Sequence, residues 1–255
     1  MMLLAAFVFG AIIGSFLNVC IARIPAEESI LRPASHCPRC GSPIRPWDNI
    51  PIFSYVVLLR GHCRDCQSPI AARYPLVEAL TGGLFVLVVY RFGISPIVIA
   101  YLAFVAALVV VSFIDLDHQI IPDAISLPGT LVGLLLARLG YGVSLTESFD
   151  GALLGGGLLY AVAAGYEWLK GREGMGGGDI KLMAMVGSFL GWKAVLVTLI
   201  VGSLFGAIVG VAMILGRGAD SNVPIPFGPF LAVGALVALL YGNQLLGWYF
   251  HLMLA

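Results

Sequence analysis

Ile97-Val98-Ile99-Ala100-Tyr101-Leu102-Ala103-Phe104-Val105-Ala106-Ala107-Leu108-Val109-Val110-Val111-Ser112-Phe113-Ile114 contains no charged residue, and it closes abruptly on Asp115-Leu116-Asp117-His118. An apolar run over 95–114 matches the ~20 residues that a helix needs to cross a bilayer. The rest of the chain repeats the theme. Similar segments fall at roughly 2–22, 75–91, 124–140, 151–169, 180–192, 194–216 and 228–250. The chain has 255 residues, 60% of them hydrophobic and 11% charged, with a mean hydropathy of +0.98. A soluble domain of this size has no use for so much apolar surface. The expectation is an all-α polytopic membrane protein with about eight transmembrane helices. The segment 180–192 is short and polar at its start, which predicts a broken or tilted helix.

Charge then sets a topology. No basic residue precedes the first apolar run, and Arg23 follows it, the reverse of a signal peptide's layout. Residues 1–22 therefore read as a retained first span. Residues 23–74 form the one long polar stretch, and they carry Arg23, Arg32, Arg39, Arg45, Arg60, Arg64 and Arg73. With eight spans, Lys170, Arg172, Lys181 and Arg217 fall on the same side, and only Arg91, Arg138 and Lys193 fall opposite. The positive-inside rule assigns the basic side to the cytoplasm and both termini to the periplasm. Asp115 then ends the third span, and Asp179 starts the sixth, on one cytoplasmic face. Net charge is zero, so nothing points to nucleic acid; the surrounding partner is membrane lipid. The 32 glycines, such as Gly151, Gly155, Gly156 and Gly157, read mainly as small residues that let membrane helices approach.

Four of the five cysteines form Cys37-Pro38-Arg39-Cys40 and, after 22 residues, Cys63-Arg64-Asp65-Cys66. Two C-x2-C turns complete a tetrahedron around one structural zinc ion and leave it no open position. Disulfides are disfavoured on the reducing cytoplasmic side. Gly41 suits a knuckle after the first pair, whereas Gln67 after the second makes it less regular. Between the pairs, Ile50-Pro51-Ile52-Phe53-Ser54-Tyr55-Val56-Val57-Leu58-Leu59 is too short to span. It either packs on the zinc core or lies in the membrane interface. The outline is a first helix over 1–22, a small cytoplasmic zinc-binding loop domain over 23–74 and a transmembrane domain over 75–255. Cys20 reads as a packing residue in the first span.

Carboxylates beside membrane segments are expensive and mark function by default. The cluster 115–123 offers Asp115, Asp117 and Asp123, with Pro122 starting the next helix and 115–121 read as an interfacial turn. Gly176-Gly177-Gly178 precedes Asp179 at a helix N-terminus, where the dipole favours an anion and the glycines permit hinging and close approach. Two carboxylates at one depth are the material for an acid/base dyad that activates water against a peptide carbonyl. Two other readings stand beside it: Asp179 as a helix cap with solvated turn acids, and a cation site from Asp115, Asp117 and Asp123. No Ser-His-Asp pattern is visible, and Cys20 has no evident histidine partner.

The chain resembles the bacterial prepilin peptidases, bifunctional leader peptidase/N-methyltransferases of type IV pilus and type II secretion systems. The resemblance runs through Gly14-Ser15-Phe16-Leu17-Asn18-Val19, Arg23-Ile24-Pro25, both C-x2-C pairs and Asn49-Ile50-Pro51. It continues through Arg73-Tyr74-Pro75-Leu76-Val77-Glu78, Ile114-Asp115-Leu116-Asp117-His118-Gln119 with Ile121-Pro122-Asp123, and Gly176-Gly177-Gly178-Asp179-Ile180-Lys181-Leu182. The last contains the G-x-G-D of intramembrane aspartyl proteases. The resemblance implies catalytic roles for Asp115 and Asp179, with Asp117, Asp123, Gly176, Gly178 and Lys181 supporting. It implies cleavage of type IV prepilin or pseudopilin leaders after a glycine, then N-methylation with S-adenosylmethionine, in a bacterial inner membrane. The methyltransferase is associated with about residues 14–78. Asn18, Arg73 and Glu78 match family motifs and stand as cofactor-site candidates, or equally as a buried ion pair or cap. Asp117 and Asp123 are expected to attract the basic leader. The competing readings are a peptidase whose zinc loop is only structural, a transporter with an acidic ion site, and a zinc hydrolase, which four cysteines disfavour.

Overall fold

The computed structural model describes residues 1–171, 176–217 and 226–254. Arg172, one of the residues in the charge balance, lies outside them. Among the described residues there are eight α-helices and no strand: α1 Met2–Arg23, α2 Arg73–Phe92, α3 Pro96–His118, α4 Asp123–Arg138, α5 Leu145–Lys170, α6 Gly177–Leu190, α7 Trp192–Arg217 and α8 Gly228–Leu254. By length and composition α1, α2, α3, α5, α7 and α8 can each cross a membrane. At 16 and 14 residues, α4 and α6 are shorter than the other six.

Helix ends follow backbone chemistry more than hydropathy. α5 starts well before its apolar stretch because Ser144 and Glu147 form a reciprocal capping box. It stops at Gly171, which takes the left-handed conformation (φ 65°) that costs glycine nothing. α3 likewise overruns its apolar part. Asp115 and Asp117 sit in its last helical turn, which closes with the Gln119 amide donating to the Asp115 carbonyl at 2.9 Å. The chain turns only at Gln119 (φ 55°). The interfacial turn expected over 115–121 is therefore helical up to His118.

The chain divides into two compact units, residues 1–110 and 111–255. In the first, α1 and α2 pack antiparallel. A Cβ on Gly10 would lie 2.8 Å from the Gly82 Cα, and one on Gly14 would lie 2.7 Å from the Glu78 Cα. The bare backbones thus meet without side chains between them. Phe9 and Phe85 meet across the same seam with ring centroids 6.0 Å apart and planes tilted by 46°.

In the second unit α6 is the central helix, in contact with α4, α5, α7 and α8. Leu182, Met183, Met185, Val186, Gly187, Ser188 and Phe189 are all buried. Gly151 and Gly155 of α5 leave room for the α6 backbone at Gly187 and Met183, where any Cβ would collide. Ser148 of α5 donates to the Ser188 carbonyl at 2.6 Å. Enclosure by protein explains how a short helix with a polar start is tolerated, since its ends need not meet lipid. Gly156 has looser contacts and Gly157 has open space around it, so the packing role belongs to some of these glycines and not all.

Candidate active site and metal centre

The acidic site lies within the second unit. Asp115, in the last turn of α3, is only 5% exposed. Its Oδ2 accepts a hydrogen bond from the backbone amide of Gly228, the first residue of α8, at 2.8 Å. Asp179 is the third residue of α6 and is partly buried. The residue at the cap position is Gly176, and no side chain caps the helix, so Asp179 does not serve as the N-cap. The negative charge of Asp115 acts on Asp179, so the two carboxyl groups share one electrostatic site.

Two contacts bring the start of α6 there. A Cβ on Gly178 would lie 2.7 Å from the Ile121 Cβ and 3.3 Å from its amide nitrogen. The glycine therefore lets α6 lie directly on the turn between α3 and α4. Beside it, Lys181 Nζ donates to both Asp123 oxygens at 2.7 Å. That pair ties α6 to the first residue of α4, and it offsets the charge of Asp123 inside the chain. Asp117 and His118 lie exposed at the end of α3. The three acids that residue chemistry alone left as equals, and among which the resemblance picked Asp115, thus differ: Asp115 is buried and held by the Gly228 amide, Asp123 is paired with Lys181, and Asp117 is at the surface. Gly228 is absent from the sequence reading. Its only signal is a glycine between Phe227 and Pro229 at the head of an apolar segment.

In the first unit, Cys37, Cys40, Cys63 and Cys66 form a cluster with all four sulfurs within 4.8 Å of one another. A tetrahedron of thiolates at ~2.3 Å from zinc has sulfur edges of about 3.8 Å. Cys37 Sγ and Cys66 Sγ are 3.9 Å apart, so the donor set fits one zinc ion. Backbone amides at Cys40 and Arg39 pull the Cys37 thiol down to about 6, toward the anionic form that a metal needs, whereas at Cys63 the backbone amides of Cys66 and Asp65 are outweighed by burial and the neighbouring Cys37 and Cys66 sulfurs, which leave the thiol raised.

The two knuckles are near copies. His36-Cys37-x-x-Cys40-x-Ser42-Pro43-Ile44 repeats as His62-Cys63-x-x-Cys66-x-Ser68-Pro69-Ile70, a duplication the sequence reading passed over. The Cys37 and Cys63 amides donate to Ser42 and Ser68 carbonyls, and Gly41 and Gln67 amides donate back to the cysteine carbonyls. Gln67 takes the left-handed turn at φ 57° just as Gly41 does at 73°, so the second knuckle is as regular as the first. Arg64 grips Asp48 with two nitrogens and braces the second knuckle from outside.

Asn18 and Glu78 are engaged within the chain. Asn18 Nδ2 donates to the Gly14 and Tyr74 carbonyls at 3.3 and 3.1 Å, bridging α1 and α2. Glu78, 8% exposed, accepts the Ile52 amide at 2.7 Å. Arg73 opens α2 and also has a partner in the chain. Of the three, Glu78 ties the loop to α2, and Asn18 joins α1 to α2.

Residues 8–92 match the bacterial peptidase A24 N-terminal domain, and residues 102–211 match the type IV leader peptidase family. The chain belongs to the type IV leader peptidase family. A prepilin leader peptidase/N-methyltransferase of Pseudomonas aeruginosa is 40% identical over 265 residues, covering 95% of this chain and 91% of the relative. One of Aeromonas hydrophila is 41% identical, covering 95% and 92%. One of Myxococcus xanthus is 45% identical over 217 residues, covering 83% of this chain and 63% of the relative. No solved structure matches the chain. Membership of this leader peptidase family, with six helices among the described residues long and apolar enough to cross a membrane, points to a bacterial inner-membrane protein. Gly228 falls beyond the residues 102–211 that match the family model.

Proposed function

We propose that this chain is a membrane aspartyl endopeptidase that removes the leader of type IV prepilins or pseudopilins and N-methylates the new N-terminus. The observation that carries the peptidase reading is the placement of Asp115 in the last turn of α3 and Asp179 in the first turn of α6, where Gly178 lies against Ile121 just beyond α3, near enough for the charge of Asp115 to act on Asp179. Two carboxyl groups so placed share a proton more readily than they both ionise. The Gly228 amide stabilises negative charge on Asp115 Oδ2, which makes Asp115 the base and leaves the proton to Asp179.

The chemistry follows from those roles. Asp115 takes a proton from water as its oxygen bonds to the scissile carbonyl carbon, and Asp179 gives its proton to the carbonyl oxygen. The tetrahedral intermediate collapses as the carbon–nitrogen bond breaks. The proton held on Asp115 passes to the leaving amine, and the gem-diol proton returns to Asp179. Gly228, Gly178, Ile121 and the Lys181–Asp123 pair are positioning groups that set where the two carboxyls stand.

Cys37, Cys40, Cys63 and Cys66 would hold zinc. When bound it would supply a cross-link that folds a segment with little apolar core. The N-methylation is supported by the names of the relatives and by the match of residues 8–92. No step of it is assigned to Asn18, Arg73 or Glu78. The distribution of Lys and Arg favours a cytoplasmic site with periplasmic termini. There the dyad meets the leader of a substrate whose apolar stem is in the bilayer.

The test is to incubate the purified enzyme with a prepilin and S-adenosylmethionine. The expected product lacks its leader and gains the mass of one methyl group. A product cleaved but unmethylated would leave a peptidase only, and an uncleaved prepilin would overturn the proposal.

A further inference from the structure

The segment between the two zinc knuckles has an unusual surface. Ile50, Phe53, Val56, Val57 and Leu58 are 43%, 49%, 60%, 52% and 42% exposed, although they form a compact turn of helix over Ser54–Leu58. Each thus keeps about half of its surface open. Ser54, the buried residue of this turn, donates to the Ile50 carbonyl at 2.7 Å. The Tyr55 hydroxyl donates to the Ile70 carbonyl at 3.4 Å, and the Gly61 amide donates to the Tyr55 carbonyl at 2.9 Å. The segment and the second knuckle are therefore one piece, on which these apolar side chains are about half exposed.

The depth of this piece is fixed by its bonds to α1 and α2. The Ile52 amide is held by Glu78 at 2.7 Å, five residues inside the start of α2, or ~7.5 Å along a helix axis. Ser15 donates to the Asn49 side chain at 3.5 Å, eight residues inside the end of α1, or ~12 Å. The headgroup layer on each side of a bilayer is only about 5–8 Å thick. Asn49 and Ile52 are thus drawn below the ends of two membrane helices, to the level where headgroups give way to acyl chains, and residues 53–58 follow directly from them. Arg45 and Arg60 stand exposed on either side of the segment, as cations that face phosphates do.

We propose that residues 50–58 form an interfacial anchor, in which Ile50, Phe53, Val56, Val57 and Leu58 lie among phospholipid acyl chains and Arg45 and Arg60 meet the headgroups. The bilayer itself then holds the zinc-binding knuckles at its surface. A loop with no membrane contact would instead bury these side chains against its own cysteine turns.

The test places a photo-crosslinking phenylalanine analogue at Val57, and separately at Phe53, in the full-length enzyme. The protein is reconstituted in vesicles of phosphatidylethanolamine with a minority of phosphatidylglycerol. Leu204, exposed on α7, is the lipid-facing control, and Glu28, in the exposed start of the loop, is the aqueous control. Phospholipid adducts are expected at both test sites, comparable to Leu204 and about tenfold above Glu28. Adduct yields at the level of Glu28 would overturn the proposal. So would lipid adducts that vanish in favour of prepilin adducts when substrate is added, since the face would then belong to the substrate. An unchanged melting temperature for each labelled protein ensures that the readout is of the folded enzyme.

Discussion

Replacing Gly228 with alanine tests the arrangement around Asp115 with a single methyl group. That Cβ would stand 2.7 Å from Asp115 Oδ2 and 3.1 Å from its Cγ. An ordinary carbon–oxygen contact needs at least ~3.4 Å, so the carboxylate or the helix start must retreat by about 0.7 Å. The 2.8 Å bond from the Gly228 amide would lengthen to ~3.5 Å, where a hydrogen bond is effectively lost. A hydrogen bond to a charged group contributes about 1.5–3 kcal/mol. At 5% exposure, water is poorly placed to replace it. The expected loss in kcat/KM for prepilin cleavage is therefore about tenfold to a hundredfold, carried by kcat. Gly234→Ala is the control, because its Cβ would collide with the Thr198 carbonyl of α7 far along α8 from Asp115. It should lower the melting temperature while kcat per folded enzyme stays near wild type. Gly228→Ala with wild-type kcat, or the two variants losing kcat equally, would refute the reasoning.

Three other outcomes follow from the geometry. Lys181→Met should cut kcat about tenfold while moving the melting temperature little, because the Lys181–Asp123 pair is about half exposed and such pairs contribute ~0–1 kcal/mol to stability. The double swap Lys181→Asp with Asp123→Lys should recover part of the activity in a cleavage assay. Cys37→Ser and Cys63→Ser should each reduce zinc from one per chain to a small fraction, measured by metal analysis, and should open residues 37–70 to added protease. Glu78→Ala should expose the 50–59 segment to protease and cost ~1–3 kcal/mol in unfolding measurements, by stripping the half-buried Ile52 amide of its acceptor. Glu78→Gln, which keeps an oxygen there, should cost less.

Much of this was legible in the chain. The apolar runs showed a helical membrane protein because a span must satisfy its own backbone, which hydropathy detects. Spacing alone marked Cys37, Cys40, Cys63 and Cys66, because two tight turns can present four sulfurs to one ion. Where helices stop was less visible. The end of α3 depends on Gln119 taking a left-handed turn, and the start of α5 on the Ser144–Glu147 box, neither of which hydropathy weighs. The differing roles of Asp115, Asp117 and Asp123 were hidden for another reason. Burial, pairing with Lys181 and the amide of Gly228 all come from residues between 58 and 113 positions away in sequence. No local pattern encodes such contacts. The same holds for Glu78, whose motif is evident but whose bond to Ile52 only the folded loop reveals.

The most direct measurement is cleavage of a reconstituted prepilin by wild type, Asp115→Asn and Asp179→Asn, each confirmed as folded by its melting temperature. Asparagine keeps the shape of each side chain and removes its proton chemistry. The account requires both variants to fall to background cleavage. Wild-type cleavage by either one would contradict the dyad.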